Sequence, residues 1–172
     1  MLFLPLAAMI LIVVASNWLV QFPINDLLTW GAITYPFSFL VTDLTTRLRG
    51  PVRARRVVWV GFMIAVLISA WLATPRIALA SGTAFLAGQL LDIQIFQRLR
   101  AGSWWRAPLV SSILGSVLDT TLFFSLAFAG TDMPWMTLAL GDLGVKLAIA
   151  VLALVPFRAV LALALPPAPV RS

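Results

Sequence analysis

The stretch from Trp30 to Arg56 constrains the fold of this chain more than any other. An apolar and aromatic run that carries one carboxylate, Asp43, leads directly into five arginines. Apolar side chains are stabilised by leaving water, whereas guanidinium groups stay hydrated, so a boundary between two solvents must lie near Arg47. The simplest such boundary is a membrane surface, and arginines beside an apolar span are typical of its cytoplasmic side. The topology can therefore be counted outward from this segment.

The amino-acid composition also favours a membrane protein. The 172 residues are 62% hydrophobic and only 10% charged, against about 45–50% apolar and about 25% charged residues in soluble domains. One globular core of this size cannot bury that excess, so much of it must face lipid. At about 20 residues per span, the chain has room for about six helices with short loops. We therefore predict an all-α integral membrane protein with six transmembrane helices in one bundle.

Breaks in the apolar pattern predict where the spans begin and end. The predicted spans cover roughly residues 2–20, 30–48, 57–73, 77–98, 107–129 and 138–165. They form one transmembrane domain over residues 1–165, and the segment 166–172 is expected to be a short disordered tail. Pro36 is expected to kink the second span, because proline removes a hydrogen bond inside a helix. No basic residue precedes Arg47, so the first span lacks the charged start of a signal peptide and is interpreted as a retained helix.

The distribution of positive charge predicts the orientation. Nine of the twelve Lys and Arg residues fall in the expected loops 47–56 and 98–106 or at Arg171, which is the positive-inside pattern. Six spans then place both termini in the cytoplasm. The net charge of +6 is therefore assigned to the membrane surface and its anionic lipids, and no nucleic acid is expected as a partner.

Residue types that are missing from the chain exclude several kinds of site. There is no cysteine and no histidine, so disulfides, thiolate metal sites, haem ligation by these residues and histidine-based catalysis are excluded from this chain alone. No cofactor and no metal are expected. Two alternatives to a transporter stay open. One is an intramembrane protease with two aspartates, for which Asp92 and Asp119 are loosely compatible, and the other is a structural subunit.

Four aspartates fall inside predicted spans, where a carboxylate costs about 2.5–3.5 kcal/mol even on translocon-based scales. Such groups are usually kept where they pair or line a cavity. Counting about 1.5 Å per residue places most of the polar residues in the outer half of the membrane, so they favour a pocket that opens outward. The candidate substrate-binding residues are Asn17, Gln21, Trp30, Tyr35, Gln89, Asp92, Asp119, Asp142 and Lys146.

Spacing offers structural interpretations for two charged pairs. Asp43 and Arg47 are four residues apart, as are Asp142 and Lys146. Residues at this spacing lie on the same face of a helix and can pair. An Asp43–Arg47 pair at the interface is therefore expected, and mutual neutralisation of Asp142 and Lys146 is an alternative to substrate contact.

Other candidates also have two interpretations. Asn17 has an alternative role as a hydrogen-bonding contact between helices. Trp30 and Tyr35 have an alternative role as interfacial or packing residues. Asp92 and Asp119 have no basic residue four positions away, so a binding role is favoured for both.

Six motifs occur in order over most of the chain. They are SNWLVQFP (16–23), TWGAITYPFSFLVTDLTTRLRG (29–50), ARRVV (54–58), GQLLDIQIFQRLR (88–100), WWRAPLVSSILGSVLDTTLFF (104–124) and the Asp142…Lys146 spacing followed by VPF. Together they resemble the bacterial queuosine precursor transporter family, also called the vitamin-uptake-transporter family. The resemblance implies a multi-pass protein of the bacterial cytoplasmic (inner) membrane, similar to the six-helix substrate-binding components of energy-coupling-factor vitamin transporters.

The resemblance also implies a cargo. This is a 7-deazaguanine, with a 7-cyano or 7-aminomethyl group, salvaged for queuosine in transfer RNA. Such a base presents N1–H and an exocyclic amine beside the O6 acceptor, so Asp119 or Asp92 could accept both donors while a lysine or an amide donates to O6. Another planar vitamin-like heterocycle is the alternative cargo. The oligomeric state, with a homodimer as one option, and the energy source, whether protons, a partner ATPase or neither, stay open.

Overall fold

The computed structural model describes residues 2–19, 21–22, 24–25, 28–72 and 74–164. Its helices are α1 (Phe3–Leu19), α2 (Trp30–Thr34), α3 (Phe37–Arg49), α4 (Pro51–Leu72), α5 (Pro75–Leu99), α6 (Arg106–Phe128), α7 (Trp135–Leu152) and α8 (Leu154–Ala164). The predicted all-α class is confirmed. The predicted tail at 166–172 lies outside the described residues.

Four helical segments are long and apolar enough to cross a membrane. They are Pro51–Leu72, Pro75–Leu99, Arg106–Phe128 and Trp135–Ala164, the last of which combines α7 and α8. Only 28% of the apolar window in α4 and 22% of that in α7–α8 is buried inside the protein, so most of their surface is left for lipid. The chain is therefore an α-helical multi-pass membrane protein. Helix α1 is also apolar but shorter, at 17 residues.

The predicted kink at Pro36 is confirmed as a break between α2 and α3. Pro36 is buried between Thr34, where α2 ends, and Phe37, where α3 begins. Since proline has no N–H to donate, the helical ladder is interrupted there. Instead, the Ser38 N–H donates to the carbonyl oxygen of Tyr35 at 2.9 Å. The break leaves Tyr35 at the end of α2, where its side chain can reach another helix.

A second break, not predicted from the sequence, divides the last apolar segment into α7 and α8. Pro156 lies in the first turn of α8 and cannot donate to the carbonyl group four residues earlier. The Ala153 N–H donates to the carbonyl oxygen of Ile149 at 2.7 Å. The helical pattern resumes one turn later, where the Phe157 N–H donates to the carbonyl oxygen of Ala153 at 3.0 Å. Ala153 alone therefore joins the two helices.

The prediction that residues 47–56 form a loop is wrong. Arg47 and Arg49 lie in the last turn of α3, and α4 already begins at Pro51. Gly50 is the one residue between the two helices, with φ of 87°, a value that glycine adopts at no steric cost. Proline suits the first position of a helix, because the N–H it lacks would have no helical partner there. The arginines therefore lie on two helix ends rather than in a loop.

Contacts between side chains and loops show which links between helices lie at the same end of the bundle. Arg47 donates to the carbonyl oxygen of Arg100 at 2.7 Å, and the Arg158 guanidinium lies 5.2 Å from the centroid of the Trp104 ring. One end of the bundle thus contains Gly50, the 100–105 loop and α8, and we call it the arginine end. All described arginines lie towards it except Arg76.

Arg76 marks the opposite end of the bundle. It donates to the carbonyl oxygens of Leu126 and Ala129 at 2.8 and 2.6 Å. The α4–α5 link therefore lies beside the C-terminus of α6, whose last carbonyl groups lack helical partners and accept from the guanidinium. Successive links alternate between the two ends, as expected for antiparallel membrane helices.

Two glycines allow α5 and α6 to cross closely. A Cβ atom added at Gly88 would lie 2.9 Å from Asp119 Cβ, and one added at Gly115 would lie 3.0 Å from the Gly88 carbonyl oxygen and 2.7 Å from the Phe39 ring. Small residues at such a crossing let the backbones approach. The crossing holds Asp92 of α5 and Asp119 of α6 at the helix interface.

Candidate functional site

A cavity of about 620 Å³ lies between α1, α2, α4, α5, α6 and α7. Its lining includes Leu72, Ile77 and Phe128, which lie beside the links at the opposite end, so the cavity extends to that end of the bundle. Phe85 and Phe124 contribute to apolar walls. Its volume falls within the range of about 300–1,000 Å³ that is usual for small-molecule sites.

Lys146 joins two aspartates at the inner part of this cavity. Its Nζ lies 2.7 Å from Asp119 Oδ2 and 2.5 Å from Asp142 Oδ2. The side chains of Lys146 and Asp119 are each only 5% exposed, whereas that of Asp142 is 17% exposed. Asp142 and Lys146 are thus paired, as their spacing within α7 allows. Asp119 comes from a different helix, so the spacing within α7 could not reveal its part in the cluster.

Two hydroxyl groups complete this cluster. Tyr35 Oη donates to Asp119 Oδ1 at 2.8 Å. Thr120 Oγ1 donates to Asp142 Oδ2 at 2.8 Å and lies 3.0 Å from Lys146 Nζ, from which it accepts. We call Tyr35, Asp119, Thr120, Asp142 and Lys146 the ion cluster. With one lysine and two carboxylates, it has a formal charge of −1.

The two carboxylates of the ion cluster differ in what they can still accept. Both oxygens of Asp119 are engaged, by Tyr35 and by Lys146. The described contacts of Asp142 all involve Oδ2, and no described residue donates to its Oδ1. Asp142 is also the more exposed of the two and lines the cavity. It is therefore the carboxylate with accepting capacity left for a ligand.

Further polar residues line the cavity away from the ion cluster. Asn17 and Gln21 belong to the predicted set and lie in the lining. The Asn17 Nδ2 donates to the carbonyl oxygen of Val13 within its own helix at 2.8 Å. Ser69 and Ser81 also line the cavity, although they were not predicted from the sequence. Their signal is weak, because a lone serine in an apolar helix often bonds its own backbone instead.

Three predicted residues lie outside the cavity lining. Trp30 is 51% exposed at the start of α2. Gln89 is fully buried, and both ends of its amide are occupied. Thr42 Oγ1 donates to Gln89 Oε1 at 2.6 Å, and Gln89 Nε2 lies 2.8 Å from Ser38 Oγ. Gln89 thus ties α5 to α3. The third such residue is Asp92.

Asp43 does not form the expected ion pair with Arg47. Its two oxygens accept from Ser111 Oγ and Ser112 Oγ, each at 3.1 Å, while Arg47 donates to the carbonyl oxygen of Arg100. No ion pair between Asp43 and Arg47 occurs in the described part of the chain. The prediction is wrong because Asp43 lies on the face of α3 that packs against other helices, and it is only 2% exposed.

Asp92 lies beside Asp43. It is 0% exposed, and neither of its carboxylate oxygens has a hydrogen-bond partner among the described residues. At the α5–α6 crossing, Asp92 Cβ lies 3.3 Å from the position of a Cβ added at Gly115, which is about one turn of α6 from the two serines that bond Asp43. We call Asp43 and Asp92 the inner carboxylate pair. It lies towards the arginine end, outside the cavity lining.

The chain matches a family model described as "Putative vitamin uptake transporter" over residues 29–74 and 69–161. The matched region contains all members of the ion cluster and of the inner carboxylate pair. No solved structure matches the chain.

Three curated proteins are similar over most of their length. The "Queuosine precursor transporter" of Escherichia coli (strain K12) is 38% identical over 88% of this chain and 82% of that protein. The "Probable queuosine precursor transporter" of Haemophilus influenzae is 37% identical over 86% of this chain and 80% of that protein. The protein of the same name from Bacillus subtilis is 27% identical over 73% and 68%. This chain therefore belongs to the queuosine precursor transporter family, also described as the vitamin uptake transporter family.

Proposed function

We propose that this chain imports a queuosine precursor, 7-cyano-7-deazaguanine or 7-aminomethyl-7-deazaguanine, across the bacterial inner membrane. The names of its relatives support the cargo. The observation that carries the proposal is the ion cluster, which lies in the lining of a cavity large enough for a bicyclic base. The cluster is polar, buried and still has an acceptor to offer, as a site for a hydrogen-bonding heterocycle requires.

The edge of a deazaguanine fits the groups of this cavity. Its N1–H and exocyclic amine are adjacent donors, and Asp142 offers Oδ1 to accept them. The amide of Asn17 uses one N–H on Val13, so the other can donate to O6. The faces of the base suit aromatic walls such as Phe85 and Phe124. A heterocycle without these donors would leave the carboxylate unpaired and bind less tightly.

The proposed contacts are a subset of the residues predicted from the sequence. Asn17, Gln21, Tyr35, Asp119, Asp142 and Lys146 line the cavity and are retained. We expect Asp142 to touch the cargo and Asp119 and Tyr35 to hold Lys146 in place. Trp30, Gln89 and Asp92 are left out, because they lie outside the lining.

We further propose six spans with both termini in the cytoplasm. Besides the four long apolar segments, α1 would form one span and α2 with α3 another. The arginine end would face the cytoplasm, since positive charge is retained there. The cavity extends to the opposite end, so this conformation would be open to the outside. Alternating access would then require α3, α6 and α7 to open towards the arginine end.

Uptake by reconstituted protein tests the function. Liposomes that contain the purified chain are given labelled 7-cyano- or 7-aminomethyl-7-deazaguanine, with protein-free liposomes as the control. We expect saturable uptake, with the cargo recovered unchanged in mass. A chemically altered product would indicate an enzyme instead. The absence of saturable uptake and of binding would favour a structural subunit.

A further inference from the structure

The inner carboxylate pair has no part in the proposed cargo contacts. Asp43 is 2% exposed and Asp92 is 0% exposed, and both lie outside the lining of the large cavity. Burying a charged carboxylate without a partner carries a large free-energy cost, which is normally avoided by pairing or by neutralisation. Two such groups side by side, one of them without a hydrogen bond, therefore need a further species to compensate them.

No cation among the described residues pairs with these carboxylates. On α6 the facing groups are the neutral hydroxyls of Ser111 and Ser112. Helix α1 carries no ionisable side chain, and the three arginines of α4 are exposed. On α3 itself, Arg47 is bonded to a backbone carbonyl group. Lys146 of α7 lines the same void as Asp43, but it is bound within the ion cluster.

A small void is lined by Asp43 of the pair and by Lys146 of the ion cluster. It has a volume of about 10 Å³, and Asp43, Ser112, Ser116 and Lys146 contribute to its lining. This is about the space that one water molecule needs, and these polar groups would bond such a water. A water in this void would lie between Lys146 and Asp43 and would offer a path for a proton.

The same void touches both proline breaks. Pro36 of the first break and Ala153 and Leu154 of the second contribute to its lining. Helix breaks are places where a bundle can bend. The hydrogen bonds from Ser111 and Ser112 to Asp43 join α6 to α3 beside this void. A change in the charge of the pair would therefore act directly on the α3–α6 contact, which must open towards the arginine end during transport.

We propose that the inner carboxylate pair binds one proton that crosses the membrane together with the cargo, so that import is driven by a proton gradient. The proton enters from the outside through the cavity, is held between Asp43 and Asp92, and leaves to the cytoplasm. A proton held there forms an O–H group that joins Asp92 to Asp43 by a hydrogen bond, and it removes one of the two adjacent negative charges. The inference rests on the proposed transport function, and its site can be tested separately.

Infrared spectroscopy tests the proton site without any cargo. A protonated carboxyl group has a C=O stretching band that a carboxylate lacks. We expect the purified protein near neutral pH to show such a band, and we expect Asp92→Asn and Asp43→Asn to remove it. Asp132→Asn, at an exposed loop aspartate, should leave it unchanged. A wild-type spectrum without the band, or a band that survives in both inner variants, would overturn the proposal.

Transport in liposomes tests the coupling. With the outside one pH unit more acidic, coupling of one proton to a neutral cargo allows up to about tenfold accumulation. We expect wild-type protein to accumulate cargo in this way and to stop when a protonophore is added. Asp92→Asn should lose this accumulation although its thermal unfolding midpoint shows that it is folded, whereas Asp132→Asn, at an exposed loop aspartate, should keep it.

The outcomes separate the two proposals. Accumulation that follows a sodium gradient, that needs a partner ATPase, or that Asp92→Asn retains would overturn proton coupling while leaving cargo transport intact. If wild-type protein neither binds nor exchanges a 7-deazaguanine, the proposed function fails, and proton-coupled import fails with it. The infrared band would then decide whether the pair is a proton site at all.

Discussion

Lys146 on α7 and Asp119 on α6 form a buried ion pair, with Nζ 2.7 Å from Oδ2, although 27 residues separate them in the sequence. Each side chain is only 5% exposed. The pair ties together two apolar helices and fixes the ammonium group that also contacts Asp142. Loss of the lysine would leave two carboxylates in an apolar bundle without a counter-charge.

We therefore expect Lys146→Met to destabilise the protein strongly. Removing one partner of a buried ion pair costs about 3–5 kcal/mol, because the other charge is left uncompensated. The measurement is the thermal unfolding midpoint of the detergent-solubilised protein. Arg55→Met, at an exposed arginine of α4, is the matched control and should change it little. Lys146→Met with Asp119→Asn should be more stable than Lys146→Met alone; equal or lower stability would contradict the role of the pair.

The close crossing of α5 and α6 leads to a prediction about two glycines. At Gly115 an added Cβ would lie 2.7 Å from Phe39 and 3.0 Å from a backbone oxygen. Gly115→Ala should therefore destabilise the fold by about 1–3 kcal/mol through overpacking. At Gly141 an added Cβ meets nothing within 4 Å, so Gly141→Ala should be neutral or slightly stabilising. The measurement is the free energy of unfolding of the two variants under identical conditions. Equal values would contradict the close approach of α5 and α6 at Gly115.

Gln89 distinguishes a structural residue from a cargo contact. Its amide bonds Thr42 and Ser38 of α3 and lies outside the cavity lining. Gln89→Leu removes both bonds and leaves buried hydroxyls unpaired, which should cost about 1–3 kcal/mol of stability. The cargo Kd of the folded fraction should stay within about twofold of the wild-type value. A large rise in the Kd with no loss of stability would place Gln89 in the binding site instead.

The absence of cysteine from the chain makes the proposed topology directly measurable. Single substitutions Arg55→Cys and Asp132→Cys place one thiol at the arginine end and one at the opposite end. A membrane-impermeant maleimide should label the second variant in intact spheroplasts and the first only after lysis. The reverse labelling pattern would invert the orientation and would make the cavity open to the cytoplasm.

Much of the fold follows from local features of the sequence. The apolar lengths define α5 and α6 to within two residues of the predicted bounds, and the break at Pro36 follows from the chemistry of proline. The break near Pro156 was missed, although the same rule applies to it. The helix across residues 51–56 was missed because clustered arginines suggested a loop, whereas arginine is a good helix former.

The candidate site was harder to predict, because its decisive contacts join different helices. Spacing within a helix gave the Asp142–Lys146 pair but not the contact of Asp119 with Lys146. The same rule paired Asp43 with Arg47, whereas helix packing turns Asp43 towards the serines of α6. Local periodicity describes which residues share a helix face, and only the packing of helices decides which faces meet.

Equilibrium binding of both 7-deazaguanines to purified wild-type, Asp142→Asn and Asp132→Asn protein tests the central claim, that the ion cluster holds the cargo. A charged hydrogen-bond acceptor contributes about 1.5–3 kcal/mol, so we expect Asp142→Asn to weaken binding by about tenfold to a hundredfold. Asp132→Asn should bind like the wild type, with the folding of each variant checked by its unfolding midpoint. Wild-type affinity in a folded Asp142→Asn protein would contradict the account.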